Sequence, residues 1–547
     1  MTKYILPLNG PLLVSSRRNT LPSPFVANSS MGTSMRRSFI VLYFSLMFDF
    51  ALVSSASATS DEIFASGFQY RDLPAAPIID PSAPANAATL FGATGASTGG
   101  PCMSDPETGT LFPQNWLRPR FTWIATGSEN LFELHIAAQN QDDALVVYTT
   151  ATTWTMPADV WAGLSQHTVD QSITVEVRGA TYSSATGNLT SGPALGSSGT
   201  VQVAPVSAPG AIVYWTMPSS GMLLRGFRIG DEGLQNIVSP AGAGSSCIGC
   251  HSGSPDGADV GFSASSGGAA DLGILSSDGQ QLTPSFISAS AKILMSRQDQ
   301  EAPAFSKLHW MTGDHVALTM YQSQIMWTDL EAASTAQGTG WGYLARTGET
   351  ADAASASFAH TTDTVLYVAS SSGVTQGVIA TSGGLETVPF NNRAGGTPAP
   401  VAGAAEPNYN QYYPSFSSDD KYIAYDRVET GMTSYNNEQA EVYVIPSTGG
   451  VPVRIAANDP SACTGQISPG VTNSWPRWSP GTQDSNGRRF YWLTFSSTRS
   501  GSTRQIYVAP VVDDGGTLTT YPALYPWNQA AGDDDHTPAW ENFAIPF

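Results

Sequence analysis

The sequence predicts an all-β chain, a six-bladed β-propeller preceded by a small β-sandwich. Three observations carry that prediction. A turn-plus-strand unit recurs through the C-terminal 340 or so residues. Short alternating apolar runs separated by turn residues fill the stretch before it. Gly and Pro are plentiful, 53 and 37 of 547 residues, as closely spaced turns require.

The repeat is read most easily from two copies. Pro414-Ser415-Phe416-Ser417-Ser418-Asp419-Asp420 and Pro476-Arg477-Trp478-Ser479-Pro480 each precede an apolar strand, Tyr422-Ile423-Ala424-Tyr425 and Phe490-Tyr491-Trp492-Leu493. A second strand follows each, Glu441-Val442-Tyr443-Val444-Ile445 and Gln505-Ile506-Tyr507-Val508-Ala509. Pro303-Ala304-Phe305-Ser306 opens another copy, Ala356-Ser357-Phe358-Ala359 a weaker one, and Pro538-Ala539-Trp540 stands at the C-terminal end. Ser254-Pro255-Asp256-Gly257 is the same turn again. Aligned on it, the position held by proline falls at 251, 303, 356, 414, 476 and 538, at intervals of 52, 53, 58, 62 and 62. Each interval suits one four-stranded blade. Pro538-Ala539-Trp540 is an innermost strand with no blade after it, and Ala211 to Trp215 and Leu224 to Ile229 are outer strands with none before them. Pairing them closes the ring and removes the open sheet edge.

With these P-x-[FW]-S-P-D-G-type repeats, residues 209–547 resemble the TolB-like β-propellers. Blades three and four depart from that pattern, with Lys307-Leu308-His309 and Thr361-Thr362-Asp363 in place of the Pro-Asp-Gly turn. Residues 101–206 resemble a fibronectin type III or immunoglobulin-like module in pattern alone. Phe121-Thr122-Trp123 is expected as an early core strand and Ile173-Thr174-Val175-Glu176-Val177 as a late one. Residues 59–100, rich in Pro, Ala, Ser and Gly, have few large apolar side chains and read as a tether. Residues 1–58 read as a leader: Arg36-Arg37, an apolar run over 39–53, then Ala56-Ser57-Ala58 and cleavage before Thr59. Met31 and Met35 are alternative starts.

The chemistry lies in Cys247-Ile248-Gly249-Cys250-His251. C-x-x-C-H lets two thiols add to the vinyl groups of one haem while the next residue gives the proximal imidazole to iron, so one covalent haem c is expected. A reducible dithiol and half of a zinc site are the alternatives. Zinc would want a second Cys/His pair at ligand spacing, and the other two cysteines, Cys102 and Cys463, stand alone. In an oxidising compartment those two could form an interdomain disulfide, which spacing cannot decide. His251 falls in the slot where four other blades carry proline, with the cysteines just before it in the loop entering the second blade, so the haem is expected to cap one mouth of the propeller channel. Met295 and His536 are the named candidates for the sixth iron position, with an open site or another residue as the alternative. His309 is expected at the first-to-second strand turn on the opposite face, His315 and His360 read as structural or surface residues, Met311, Met320 and Met326 as packing, and Asp533 to Asp535 as a charged neighbour of His536 or a solvated run.

A formal charge of −20 disfavours nucleic acid and anionic membrane and suits basic partners. No H-E-x-x-H or glycine-rich phosphate loop is present. The expected function is that of an exported, periplasmic or cell-surface monohaem electron-transfer protein with a basic redox partner. The alternatives are an envelope interaction propeller in which haem is a sensor or staple, and a haem-dependent oxidoreductase or peroxidase.

Overall fold

The computed structural model describes residues 69–265 and 270–546. The leader, the alternative starts and the first ten residues of the expected tether lie outside them. Among the described residues no helix is long and apolar enough to cross a membrane.

Residues 69–100 do not form a tether. Ile78–Ile79 adds a parallel edge strand to the sandwich, pairing with Val147 and Tyr148. Helix Ala87–Phe91 buries Ala87 and Phe91 against Leu131, Tyr148 and Ala180. The segment has few apolar residues, but the ones it has suffice to seat it on a neighbour's surface. Composition alone misses that, because the core it completes belongs to another segment.

The sandwich has a six-stranded sheet, in spatial order Ile78–Ile79, Leu145–Thr149, Leu131–Ala138, Ser172–Ser183, Asn188–Val203 and Leu111–Phe112. Against it stands a three-stranded sheet of Cys102–Asp105, Arg120–Ile124 and Thr153–Thr155. Phe121 and Trp123 point inward from the smaller sheet, and Ile173, Val175 and Val177 from the larger, in the alternation a half-buried strand demands. Both edges of the larger sheet pair in parallel, and helix Ala158–His167 packs Trp161 and Leu164 into the core. These features depart from an all-antiparallel immunoglobulin-like sandwich.

Six further sheets form the propeller. Their innermost strands, numbered by blade, are Asp535–Glu541, Cys247–Gly253, Glu301–Phe305, Asp352–Phe358, Tyr409–Phe416 and Asn473–Trp478. Blade 1 is the composite: Asp535–Glu541 pairs antiparallel with Ala211–Thr216, followed outward by Leu223–Arg228 and Gln235–Val238. The Trp540 indole donates to the Pro209 carbonyl at 2.8 Å across this closure. Gly257, at φ +74°, permits it as well, since a Cβ there would lie 1.9 Å from the Asn542 carbonyl oxygen. Blade 2 has three strands rather than four, and helix Ala289–Met295 packs beside its outermost strand, Ala270–Ser276.

The sandwich and propeller share one hydrophobic core. Trp123 and Phe132 belong to the same cluster as Trp492, Val508 and Trp540. The Trp527 indole donates to the Arg118 carbonyl at 2.6 Å, and Arg488 pairs with Asp170 at 2.7 Å. Cys102 and Cys463, 361 residues apart, are joined by a disulfide with their Cα atoms at 5.4 Å.

Candidate haem site at the channel mouth

Every innermost strand carries a β-bulge at the aligned slot, between Ile248 and His251 in blade 2 and opposite Val213 to Trp215 in blade 1. In five blades the residue before the slot has positive φ: Ala302 48°, Ser355 49°, Tyr413 51°, Trp475 60° and Thr537 49°. Cys250, its counterpart in blade 2, does not. The bulge turns the slot residues toward the axis. His251, Pro303, Ala356 and Pro538 therefore line one cavity of about 70 Å³, together with Cys250, Trp475 and Arg477. A second cavity of about 100 Å³ continues along the axis past Gly253, Phe305, Phe358, Phe416, Trp478 and Glu541.

All of Cys247-Ile248-Gly249-Cys250-His251 lies within the innermost strand of blade 2, not in the loop before it. Cys247 and Cys250 are free thiols and both are half-buried. Cys250 packs against the cluster containing Tyr413 and Trp475, whose rings stack at 3.7 Å. Burial, reinforced by Glu301, pushes the Cys250 thiol up to about 12 and raises Cys247 as well. Both are protonated at neutral pH.

His251 is buried, and its Nε2 lies 3.1 Å from the Val213 carbonyl oxygen. A carbonyl only accepts, so Nε2 carries the ring proton and Nδ1 keeps a free lone pair, with no partner in the interior. Burial lowers the imidazole to about 4, so the ring is neutral. His536 stands on the innermost strand of the adjoining blade, also buried and with Nδ1 unpartnered. Burial depresses it too, and His251 is near enough to contribute. Trp215 links the two positions: its ring lies 4.5 Å from that of His536, and its Nε1 donates to the Ile248 carbonyl at 2.9 Å.

Met295 is not near this mouth. It ends a helix on the outer side of blade 2 and is buried with Leu272, Ile274, Phe305 and Trp310. Its thioether fills a core between blades, so it does not serve as an axial ligand. Asp533 to Asp535 are not a solvated run. Asp533 pairs with Arg225 at 3.0 Å, Asp534 with Arg504, and Asp535 is 1% exposed. His309 is held between Asp314 at 2.7 Å and Asp363 at 2.9 Å, His315 by Glu331 and His360 by Asp420. Met320 and Met326 pack as expected, whereas Met311 is 63% exposed.

The donor chemistry fits a covalent haem: two unpaired thiols three residues apart, followed by an imidazole with an uncommitted lone pair. The enclosed space does not. Cavities that enclose a drug-sized ligand measure roughly 300–1,000 Å³, against about 70 Å³ here. A macrocycle held by these residues would have to lie outside the cavity, on the side where residues 241, 242, 244 and 246 are exposed. Arg477, Ser355, Thr537 and Trp215 were not singled out from sequence. Arg477 had a legible signal, since the residue after the slot is Ser252, Ala304, Ser357, Ser415 or Ala539 in the other blades.

No family model and no curated protein matches this chain. Among solved structures it is similar to TolB from Acinetobacter baumannii, at 12% identity and TM-score 0.35 over 68% of this chain and 79% of that one. An oligogalacturonate lyase in complex with manganese aligns at 10% identity and TM-score 0.29, over 58% and 75%. Kuenenia stuttgartiensis hydrazine synthase aligns at 9% and 0.25, over 59% and 73%. At these values the propeller rests on its own strand order and closure.

Proposed function

We propose that this chain is an exported c-type electron-transfer protein in which a β-propeller presents one haem at its channel mouth. The observation that carries the reading is the division of its four cysteines. Two are spent on the disulfide that ties sandwich to propeller, and the remaining two directly precede His251 in its slot. The disulfide supports an oxidising compartment, where haem c attachment also takes place. Cys247 and Cys250 would hold the haem and His251 would supply the proximal nitrogen. His536 is the candidate for the opposite position. The haem would contribute one-electron Fe(III)/Fe(II) chemistry.

The protein's own part is positional. The bulge holds His251 at the mouth, and Trp215 fastens His536 against the same strand. Burial keeps both rings neutral and so able to donate a lone pair. Tyr413 and Trp475 cover Cys250 from the opposite side of the channel.

The visible spectrum tests this on protein matured with a cytochrome c assembly system, recorded oxidised, reduced and reduced with CO. A covalent six-coordinate spectrum indifferent to CO is expected. A CO-binding spectrum would move the reading to a haem enzyme or sensor. Absence of covalent haem would leave an exported interaction propeller with a buried dithiol.

A further inference from the structure

Arg477 is the one charged residue at its level of the channel, where the other five blades place Ser or Ala. Its guanidinium lines both axial cavities. Its hydrogen bonds go to backbone carbonyls, with Nη1 donating to Pro476 at 2.8 Å and to Tyr413 at 3.3 Å. Among the described residues no carboxylate forms an ion pair with it. The nearby acid is Asp426, fully buried on blade 5, whose Oδ2 accepts from Ser474 Oγ at 2.5 Å and from the Trp475 amide at 3.1 Å. Burial raises that carboxyl well above the ordinary range. No hydrogen bond joins Asp426 to the guanidinium, whose donors go to backbone carbonyls instead.

Two hydroxyls line the same cavity without partners. Ser355, 6% exposed, and Thr537, 7% exposed, have Oγ and Oγ1 buried with nothing to bond. Buried charges are paired and buried hydroxyls are bonded in folded proteins, and leaving either alone is costly. A guanidinium and two hydroxyls from three different blades thus present donors to one space of about 70 Å³, which His251 also lines. That space exceeds the roughly 30 Å³ share of one water. It is well below the roughly 300–1,000 Å³ of cavities that enclose drug-sized ligands.

We propose that the propeller channel holds one small oxyanion, of phosphate or sulfate size or less, bound by Arg477 with Ser355 and Thr537. A planar fork of N–H donors matches such an anion in two bonds at once, and each hydroxyl can give a further one. The site shares its cavity with Cys250 and His251 but is built from Arg477, Ser355 and Thr537, none of which belongs to the haem motif.

The test has two arms on the mature full chain. In the first, dialysed protein is denatured and its released anions are counted by ion chromatography. In the second, the melting temperature is followed as phosphate, sulfate or formate is added at constant ionic strength held with sodium chloride. One equivalent of a released oxyanion, or a saturable rise with one of the three, is expected. Arg477→Gln should remove the released anion or weaken the apparent affinity at least tenfold. Should that variant fail to fold, Ser355→Ala with Thr537→Val should weaken affinity several-fold. No bound oxyanion together with no saturable rise overturns the proposal. So does a rise that survives unchanged in the folded variants.

Discussion

Trp215 and His536 decide how the channel mouth behaves. His536 is the one candidate for the sixth position that the fold brings to His251, whereas Met295 fills a core between blades. In haem-loaded protein, His536→Ala is expected to open the sixth position and make the reduced form bind CO. Met295→Leu should leave the spectrum unchanged and cost under about 1.5 kcal/mol, as volume-conserving core changes do. Visible spectra with and without CO, and chemical denaturation, distinguish the two. Trp215→Phe keeps the ring beside His536 but loses the bond to the Ile248 carbonyl. A loss of about 1 kcal/mol is expected, with the spectrum retained. His251 and Cys247 were legible from spacing because C-x-x-C-H is a local arrangement. The exclusion of Met295 was not, since nothing local says that residues 289–295 form a helix on the outer side of a blade.

Blades lock to one another through the turns that carry the repeat. Asp256 accepts from Ser254 Oγ at 2.6 Å within its turn and from the Trp310 indole of blade 3 at 3.0 Å. Asp419 does the same with Ser417 at 2.7 Å and, across to blade 6, with the Tyr491 hydroxyl at 2.8 Å. Asp256→Ala therefore removes two intrablade bonds, from Ser254 Oγ and the Ala258 amide, and one interblade bond, and a loss of about 1–3 kcal/mol is expected from chemical denaturation. Asp256→Glu should not restore it, since the longer side chain cannot make these bonds from the same turn. The turns were readable as hairpin chemistry from Asp and Gly. Their second partners were not, because these lie on the next blade, about fifty to seventy residues on. The disulfide belongs to the same scale. Cys102→Ala with Cys463→Ala should lower stability by about 2–5 kcal/mol, read as a lowered melting temperature that reductant no longer affects. Unchanged stability would show that the shared core alone holds sandwich to propeller.

Acid groups buried on folding shape the behaviour of the entire chain. Burial pushes Asp105, Asp535 and Glu541 each up to about 7. Their pKa values are raised above those of the unfolded chain, so the folded state binds protons that the unfolded state has released. Their stabilising contribution is complete below about pH 4 and is lost as pH rises through about 7. Between those limits each group adds up to about 1.4 kcal/mol of lost stability per pH unit. The melting temperature should therefore fall from pH 6 to pH 8. Asp535→Asn should flatten that fall, and an equally steep fall in the variant would refute the assignment.

The all-β class, the six repeats, the closing of blade 1 by the C-terminal strand and the haem-type motif were all present in the order of residues. Each depends on periodicity, turn chemistry or close spacing along the chain. Four matters depended on neighbours far apart in sequence. They are the packing of residues 69–100 on the sandwich, the joining of Cys102 to Cys463, the placement of Met295 away from His251, and the isolation of Arg477 among unpartnered hydroxyls. A side chain's charge state and free donors depend on what packs around it, and six converging strands bring together residues almost three hundred positions apart.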